Sequence, residues 1–374
     1  MAAKLKHIGI FTPSLAGGGV QRAMLNLSRS FVELGYTVDM ILVKASGPFL
    51  TQVPEKVRVI DLGATRALSA LPRLISYLQK NNPSFLISGQ THINAIAILG
   101  RWLSKANTRL IVTEQNDLLR AMKADQNIKE KFRPFIVRFL YLYAENVVAI
   151  SQGVAEDLKT VSRGKLKNIC IINNPIDIKD IQQKALASIQ HQWFIQKEIP
   201  VILAAGRLVK QKDFVTLINA FALVRKKMAV HLVILGEGEE RTLLENLSNK
   251  LGISKDICMP GFTENPFSYM ARADVFVLSS IWEGFANVLA EALACSLPVV
   301  STNCRSGPAE ILDNGRYGSL VPVGDPEAMA EAIFQELNLL HDKNILRQRA
   351  NDFSIENLVP KYLEILIPDS EKNS

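Results

Sequence analysis

Several things are scarce in this 374-residue chain, and each scarcity removes a class of protein. There are four cysteines, Cys170, Cys258, Cys295 and Cys304, with no CxxC pair and no histidine at metal-ligand spacing. A disulfide scaffold and a zinc module are both excluded. Cys170, Cys258 and Cys295 have apolar sequence neighbours, so reduced thiols packed in the interior account for them. No apolar run reaches the roughly 18 residues of a membrane-spanning helix. The opening MAAKLKHIGIFTPSLAGGG has no leader-like apolar region or cleavage site, which predicts a soluble, cytosolic protein. There is no Asp-x-Asp triplet, one common way of holding a divalent metal on a diphosphate. Nor is there a GxGxxG fingerprint or a P-loop Lys-Ser/Thr.

What is present is material for real cores. Hydrophobic residues make up 48% and charged residues 21%, a globular mixture that rules out disorder, collagen and coiled coil. The length exceeds the roughly 250–300 residues at which single cores stop growing, which predicts two domains. The net charge of +7 is unevenly spread: residues 1–175 hold 23 Lys and Arg against 11 Asp and Glu, and the remaining 199 hold 20 against 25. A basic first half suits anionic lipid or another polyanion; the second half has no such leaning.

Strand-length runs rich in β-branched residues occur at Ile8–Phe11, Val38–Val43, Phe85–Ile87, Leu110–Val112, Val147–Ile150 and Ile169–Ile172. Amphipathic stretches near 20–35, 67–80, 93–105, 131–144 and 152–162 separate them. The pattern breaks at Asn173-Asn174-Pro175, continues through a polar linker-like stretch at Asp177–Glu198, and restarts with Val201–Ala205, Leu232–Leu235, Ile257–Met259, Val275–Leu278 and Val299–Ser301. Alternating strands and helices, twice over, predict two Rossmann-like doubly wound α/β domains with a cleft between them. Ligands of such sheets bind beyond the carboxyl ends of the strands, where strand order reverses.

Three segments after predicted strands carry candidate chemistry. Gly17-Gly18-Gly19-Val20-Gln21-Arg22 leads into a helical pattern and is either a phosphate-approaching loop or a tight turn. Gly206-Arg207-Leu208-Val209-Lys210-Gln211-Lys212 offers a forked and a mobile cation suited to a diphosphate, or is a solvated basic loop. Glu283 and Glu291 bracket seven residues before and within an otherwise apolar helix pattern. A lone carboxylate there is costly unless paired. It is either salt-bridged to Arg207 or Lys212, or it accepts hydrogen bonds from sugar hydroxyls while backbone amides near Asn287 and Val288 meet negative charge.

The segment LSSIWEGFANVLAEALACSLPVVSTNCRSGPAEIL, residues 278–312, closely resembles the signature region of family 4 retaining glycosyltransferases, whose E-x7-E pair falls on Glu283 and Glu291. The resemblance runs through GGGVQR, GRLVKQKDFVTLINAF, Gly236-Glu237-Gly238, Pro260-Gly261-Phe262 and Val321-Pro322-Val323-Gly324-Asp325. It implies the GT-B fold, with an acceptor-binding domain over 1–176 joined by a returning helix at 353–366, and a donor-binding domain over 177–352. By the same resemblance Arg207 and Lys212 hold the donor diphosphate, Glu291 the ribose, Glu283 the transferred sugar, and Gly18 and Gly19 close over the donor. Phe262 lies at the base. No cofactor and no obligatory metal are implied. Two positions depart from the pattern: Gln115 stands where many relatives carry a histidine on the acceptor side, and Ser296 replaces a glycine. His92, after the predicted strand at Phe85–Ser88, either lines the acceptor side or is structural.

Basic residues Arg120, Lys123, Lys129, Lys131, Arg133 and Arg138 interleave with Phe132, Phe135, Ile136, Phe139 and Leu140. This pattern reads as a helix on an anionic membrane surface, or as a core helix with a basic outer face. No nucleic-acid module accompanies the charge. The expected function is transfer of one sugar, from a UDP-hexose or UDP-N-acetylhexosamine, to a lipid-linked saccharide. The setting would be lipopolysaccharide, surface-polysaccharide or glycan-lipid assembly on the cytoplasmic face of the inner membrane. The competing expectations are a nucleotide-sugar epimerase or phosphorylase on the same fold, and a two-lobed sugar-binding protein without chemistry.

Overall fold

The computed structural model describes residues 6–119, 133–195 and 198–366. The chain divides into two compact units, Met1–Pro175 with Ile355–Ser374, and Ile176–Ser354.

The first unit is built on seven parallel strands: β1 (His7–Thr12), β2 (Thr37–Leu42), β3 (Arg58–Asp61), β4 (Phe85–Gly89), β5 (Arg109–Glu114), β6 (Asn146–Ala149) and β7 (Ile169–Ile171). Their order is β3-β2-β1-β4-β5-β6-β7. Chain order therefore reverses between β1 and β4. Ile8, Ile10, Leu86, Ile87, Leu110 and Val112 are fully buried, as expected where helices cover both faces of a parallel sheet. The helices Gly19–Glu33, Leu71–Asn81, Thr91–Ser104 and Gln152–Val161 supply that cover. The terminal helix Ile355–Leu366 packs against Gly19–Glu33 and buries Tyr362. Asn146 Nδ2 donates to the Ile365 carbonyl at 3.3 Å.

At the amino end of this sheet a charged cluster ties three strands to a helix. The buried Asp39 accepts from Arg58 Nε at 2.8 Å and Nη2 at 2.5 Å, and from the Tyr77 hydroxyl at 2.5 Å. His7 Nε2 lies 2.9 Å from the same carboxylate. Burial alone would raise the Asp39 carboxyl, but the hydrogen bonds from His7, Arg58 and Tyr77 hold it well below the usual carboxylate range.

The second unit has six parallel strands: β8 (Val201–Ala205), β9 (His231–Leu235), β10 (Ile257–Gly261), β11 (Val275–Leu278), β12 (Val299–Thr302) and β13 (Ser319–Val321). Their order, β10-β9-β8-β11-β12-β13, reverses between β8 and β11. Ile202, Leu217, Phe221, Ile234, Val277, Met329 and Ile333 belong to its core. The two ends of this unit meet, since the Ile176 amide donates to the Phe353 carbonyl at 2.9 Å.

The structure corrects several expectations. β3 and β13 are additional edge strands, and β3 is mostly exposed, so neither carries the apolar run that marks an inner strand. The polar stretch Asp177–Glu198 is not a simple linker. It holds the helix Ile178–Ala185, which buries Ile178 and Ile181 at i, i+3 and is capped by Asp177, and the short helix Gln192–Ile195 with Phe194 inward. Arg120, Lys123, Lys129, Lys131 and Phe132 lie outside the described residues. Beyond them, Arg133–Phe135 is a helical turn, Ile136–Leu140 a π-turn and Tyr141–Tyr143 a 3₁₀ turn. The expected single regular helix over 131–144 is therefore absent over its described part, where Val137 and Tyr141 are buried while Phe135, Phe139, Leu142 and Tyr143 are exposed. All four cysteines are free, but only Cys304 is buried; Cys170, Cys258 and Cys295 are half-buried.

Candidate active site

In the second unit, the loops leaving β8 and β11 stand on either side of the reversal in strand order, the place where doubly wound sheets bind ligands. The β8 loop runs through Gly206 and Arg207 into a 3₁₀ turn, Lys210–Lys212. Asp213 follows at φ 47 and caps the helix Phe214–Lys227 through Thr216. The neighbouring loops pack on this one backbone to backbone. The Leu208 amide donates to the Glu237 carbonyl at 2.9 Å, and the Gly236 amide to the Gly261 carbonyl at 2.8 Å. A side chain at Gly236 would place Cβ 1.9 Å from the Gly206 oxygen, and one at Gly238 would stand 2.3 Å from the Leu208 oxygen. The glycines of the Gly236-Glu237-Gly238 triplet thus permit contact between loops.

Lys212 lies along Gly206 and ends at Glu283, Nζ to Oε1 2.5 Å. Both side chains are largely buried, 15% and 9% exposed. Two serines at the end of β11 lock this pair: Ser279 Oγ donates to the Lys212 carbonyl at 2.7 Å, and Ser280 Oγ to Glu283 Oε1 at 2.6 Å. Thr302 Oγ1 donates in turn to the Ser280 carbonyl at 2.6 Å. Ser279 and Ser280 carry no sequence signal beyond their adjacency to Glu283 in LSSIWEG. Lys212, one of the two cations offered as a partner for Glu291, reaches Glu283 instead.

Ala286, at φ 68 and ψ 56, is a non-glycine residue in the left-handed region at the start of the helix Asn287–Ala294, a conformation that costs about 1–3 kcal/mol. It turns the chain so that Asn287 and Val288 form the helix's first turn, where amides have no acceptor inside the helix. Glu291 is buried one turn on. Cys295 is pushed up to about 12 by burial and by the Glu291 carboxylate. Arg207 is exposed and makes no ion pair among the described residues. Phe262 follows Gly261 at the end of edge strand β10 and is 51% exposed.

In the first unit the reversal lies between β1 and β4. Gly17 and Gly18 adopt φ 97 and 119, and Gly19 opens the helix Gly19–Glu33 after β1. After β4, Gln90 takes φ 80 and ψ 133, and His92 is the exposed second residue of the helix Thr91–Ser104. The glycine loop and His92 thus flank one switch point. Gln115, expected on the acceptor side, is buried. Its Oε1 accepts from Asn174 Nδ2 at 2.9 Å and its Nε2 donates to Thr113 Oγ1 at 3.2 Å, so the side chain ties strand ends together rather than facing out. Among the described residues no group of three His, Cys, Asp or Glu could hold a metal ion.

Two doubly wound units, each with its loops gathered at a switch point, make the GT-B architecture of sugar-nucleotide enzymes. Residues 187–353 match the family model "Glycosyl transferases group 1", and residues 17–180 match "Glycosyltransferase Family 4". The chain is 31% identical over 354 residues, 92% of either chain, to the N-acetylgalactosamine-N,N'-diacetylbacillosaminyl-diphospho-undecaprenol 4-alpha-N-acetylgalactosaminyltransferase of Campylobacter jejuni. A Rickettsia africae glycosyltransferase structure covers all of both chains with a TM-score of 0.80 at 19% identity. Anabaena Alr3699/HepE in complex with UDP covers 97% of this chain and 99% of its own, with a TM-score of 0.77 at 18% identity. This chain belongs to glycosyltransferase family 4 and is a glycosyltransferase.

Proposed function

We propose that this enzyme transfers a hexose or N-acetylhexosamine, with retained configuration, from a UDP-linked donor to a lipid-linked saccharide during cell-surface glycan assembly. The observation that carries the reading is the Lys212–Glu283 pair at the β8/β11 switch point. There a cation suited to a diphosphate adjoins a carboxylate suited to sugar hydroxyls. The lipid-linked acceptor is supported by the name of the Campylobacter relative, which acts on a diphospho-undecaprenol saccharide and forms an alpha linkage. The uridine base is supported by the UDP complex of the Anabaena neighbour.

In this reading Arg207 and Lys212 hold the diphosphate, Glu291 the ribose, Phe262 the base and Glu283 the sugar being moved. As the bond from the anomeric carbon to the β-phosphate oxygen breaks, negative charge gathers on the leaving diphosphate. Arg207, Lys212 and the first-turn amides of Asn287 and Val288 stabilise that charge, and prepositioned donors of this kind supply the largest share of many rate enhancements. The acceptor oxygen bonds to the same face of the anomeric carbon and its proton passes to a departing phosphate oxygen. No covalent nucleophile is required. Gly18, Gly19 and His92 serve from the first unit, His92 toward the acceptor.

The basic first unit meets an anionic membrane. Phe135 and Phe139 are exposed with ring centroids 4.8 Å apart, and Arg138 and Lys165 lie over the Phe139 ring. Amphipathic sites of this kind gain about 1 kcal/mol per basic residue at an anionic surface. Among the described residues no helix is long and apolar enough to cross a membrane, and the expected place is the cytoplasmic face of the inner membrane.

Calorimetry with UDP, GDP and ADP, without added metal, tests the donor reading. UDP should bind at least about tenfold more tightly than the others, a difference of about 1.4 kcal/mol. Preference for GDP or ADP, or no binding by any, refutes it. Cosedimentation with phosphatidylglycerol but not phosphatidylcholine vesicles is expected of the membrane surface, and equal pelleting with both, or pelleting with neither, refutes that part.

A further inference from the structure

One buried acid lies beside the first unit's switch point and has no part in the chemistry described so far. Glu114, the last residue of β5, is wholly buried. Its two oxygens accept from Thr91 Oγ1 at 3.2 and 3.0 Å, one also from the Gln115 amide at 3.2 Å, and the other from the Tyr141 hydroxyl at 2.7 Å. Tyr141 is oriented by Asn94 Nδ2 at 2.8 Å, and Asn94 accepts from Ser88 Oγ at 2.7 Å.

The contrast with Asp39 is informative. Asp39, equally buried at the amino end of the sheet, is met by two N–H groups of Arg58, and its carboxyl is held down. Glu114 accepts instead from neutral donors, the Thr91 and Tyr141 hydroxyls and the Gln115 amide. Burial pushes its carboxyl up, against the pull of Tyr141, the Arg133 charge, Thr91 and the Gln115 amide. A sheet end that needed only mechanical closure would be served as well by apolar residues, because burying an acid is unfavourable.

We propose that Glu114 is a positioning residue for sugar transfer: through Thr91 it fixes the first turn of the helix Thr91–Ser104 and thereby the place of His92. This rests on the reading of His92 as facing the acceptor. The backbone supports it independently. Gln90, directly before Thr91, adopts a φ/ψ pair that side-chain-bearing residues rarely take, and its side chain does not cap the helix. Such strain persists only where surrounding contacts over-determine it, and it concentrates at functional sites. The Thr91–Glu114 hydrogen bonds are the contacts placed to do so.

The test compares Thr91→Val, Thr91→Ser and Glu114→Gln with the wild type by three readouts. The first is the NMR signal of the His92 ring, assigned by its disappearance in His92→Gln. The second is UDP affinity. The third is transfer from the UDP-sugar the wild type uses to a polyprenyl-diphosphate-linked N-acetylhexosamine. Thr91→Val and Glu114→Gln should displace the His92 signal and lower transfer roughly ten- to hundredfold, the scale of a misplacement near 1 Å. UDP affinity should stay unchanged, and Thr91→Ser should restore both signal and transfer. An unmoved His92 signal in Thr91→Val, a Thr91→Ser variant no better than Thr91→Val, or UDP affinity falling together with transfer would each overturn the proposal. If the wild type binds no nucleoside diphosphate, the donor reading fails, while the His92 signal still decides the positioning role.

Discussion

Replacing Lys212 by methionine keeps most of the side chain's volume and removes its charge. In the folded unit Nζ lies 2.5 Å from Glu283 Oε1, an attraction of about 7 kcal/mol at an effective dielectric near 20. Desolvation of the two groups offsets several kcal/mol of that. With side chains 15% and 9% exposed, a net contribution of about 2–3 kcal/mol remains. Lys212→Met leaves Glu283 buried beside Ser280 without its cation, so the single variant should lose about 3 kcal/mol. For a unit of this size that is a fall of roughly 6–12 °C in melting temperature. The double variant Lys212→Met/Glu283→Gln removes the stranded charge and should recover at least half the loss, giving a coupling energy of about 2 kcal/mol in a double-mutant cycle. Urea unfolding of the four proteins, with UDP titration alongside, measures both effects. Additive losses within about 0.5 kcal/mol would mean that the pair contributes nothing, and the assignment of Lys212 and Glu283 to one preorganised site would fall with it.

Arg207→Ala should weaken UDP binding roughly tenfold to a hundredfold without moving the melting temperature, because the residue is exposed; isothermal titration and a thermal scan check the two halves. Gly236→Ala should cost at least about 3 kcal/mol, since its Cβ would stand 1.9 Å from a backbone oxygen, while Gly252→Ala, at φ 70 in open space, should cost about 1 kcal/mol; equal urea midpoints would contradict the loop packing. Asp39 contributes stability that is fully present above its unfolded value near 4 and is lost as the pH falls toward its depressed folded value. Asp39→Asn should therefore cost about 2–3 kcal/mol at pH 7 and flatten the acid limb of stability below about pH 4, as read from urea midpoints across pH.

Inner strands were legible because a parallel sheet buried on both faces writes itself as apolar runs: Ile8–Phe11 and Val201–Ala205 fall within β1 and β8. The edge strand β3 escaped notice because only one of its sides has a partner strand and most of it faces solvent. The helix Ile178–Ala185 was hidden by its polar majority, since two isoleucines at i, i+3 suffice to bury one stripe. The turns at 136–143 defeated the amphipathic pattern, which assumes a period of 3.6 where the backbone shifts to π and 3₁₀ spacing.

Local chemistry was likewise written in the chain. The E-x7-E spacing, the cations after β8 and the glycines after β1 are properties of neighbouring residues, and a nearly apolar helix pattern makes a lone Glu291 conspicuous. Which of those groups meet was not readable, because pairing depends on strand order, and strand order is a long-range choice among crossovers. Only the reversal between β8 and β11 brings Lys212 to Glu283 across 71 positions. Only the packing of β4, β5 and the 136–143 turns turns Gln115 inward and gathers Thr91, Glu114 and Tyr141 around one buried carboxyl.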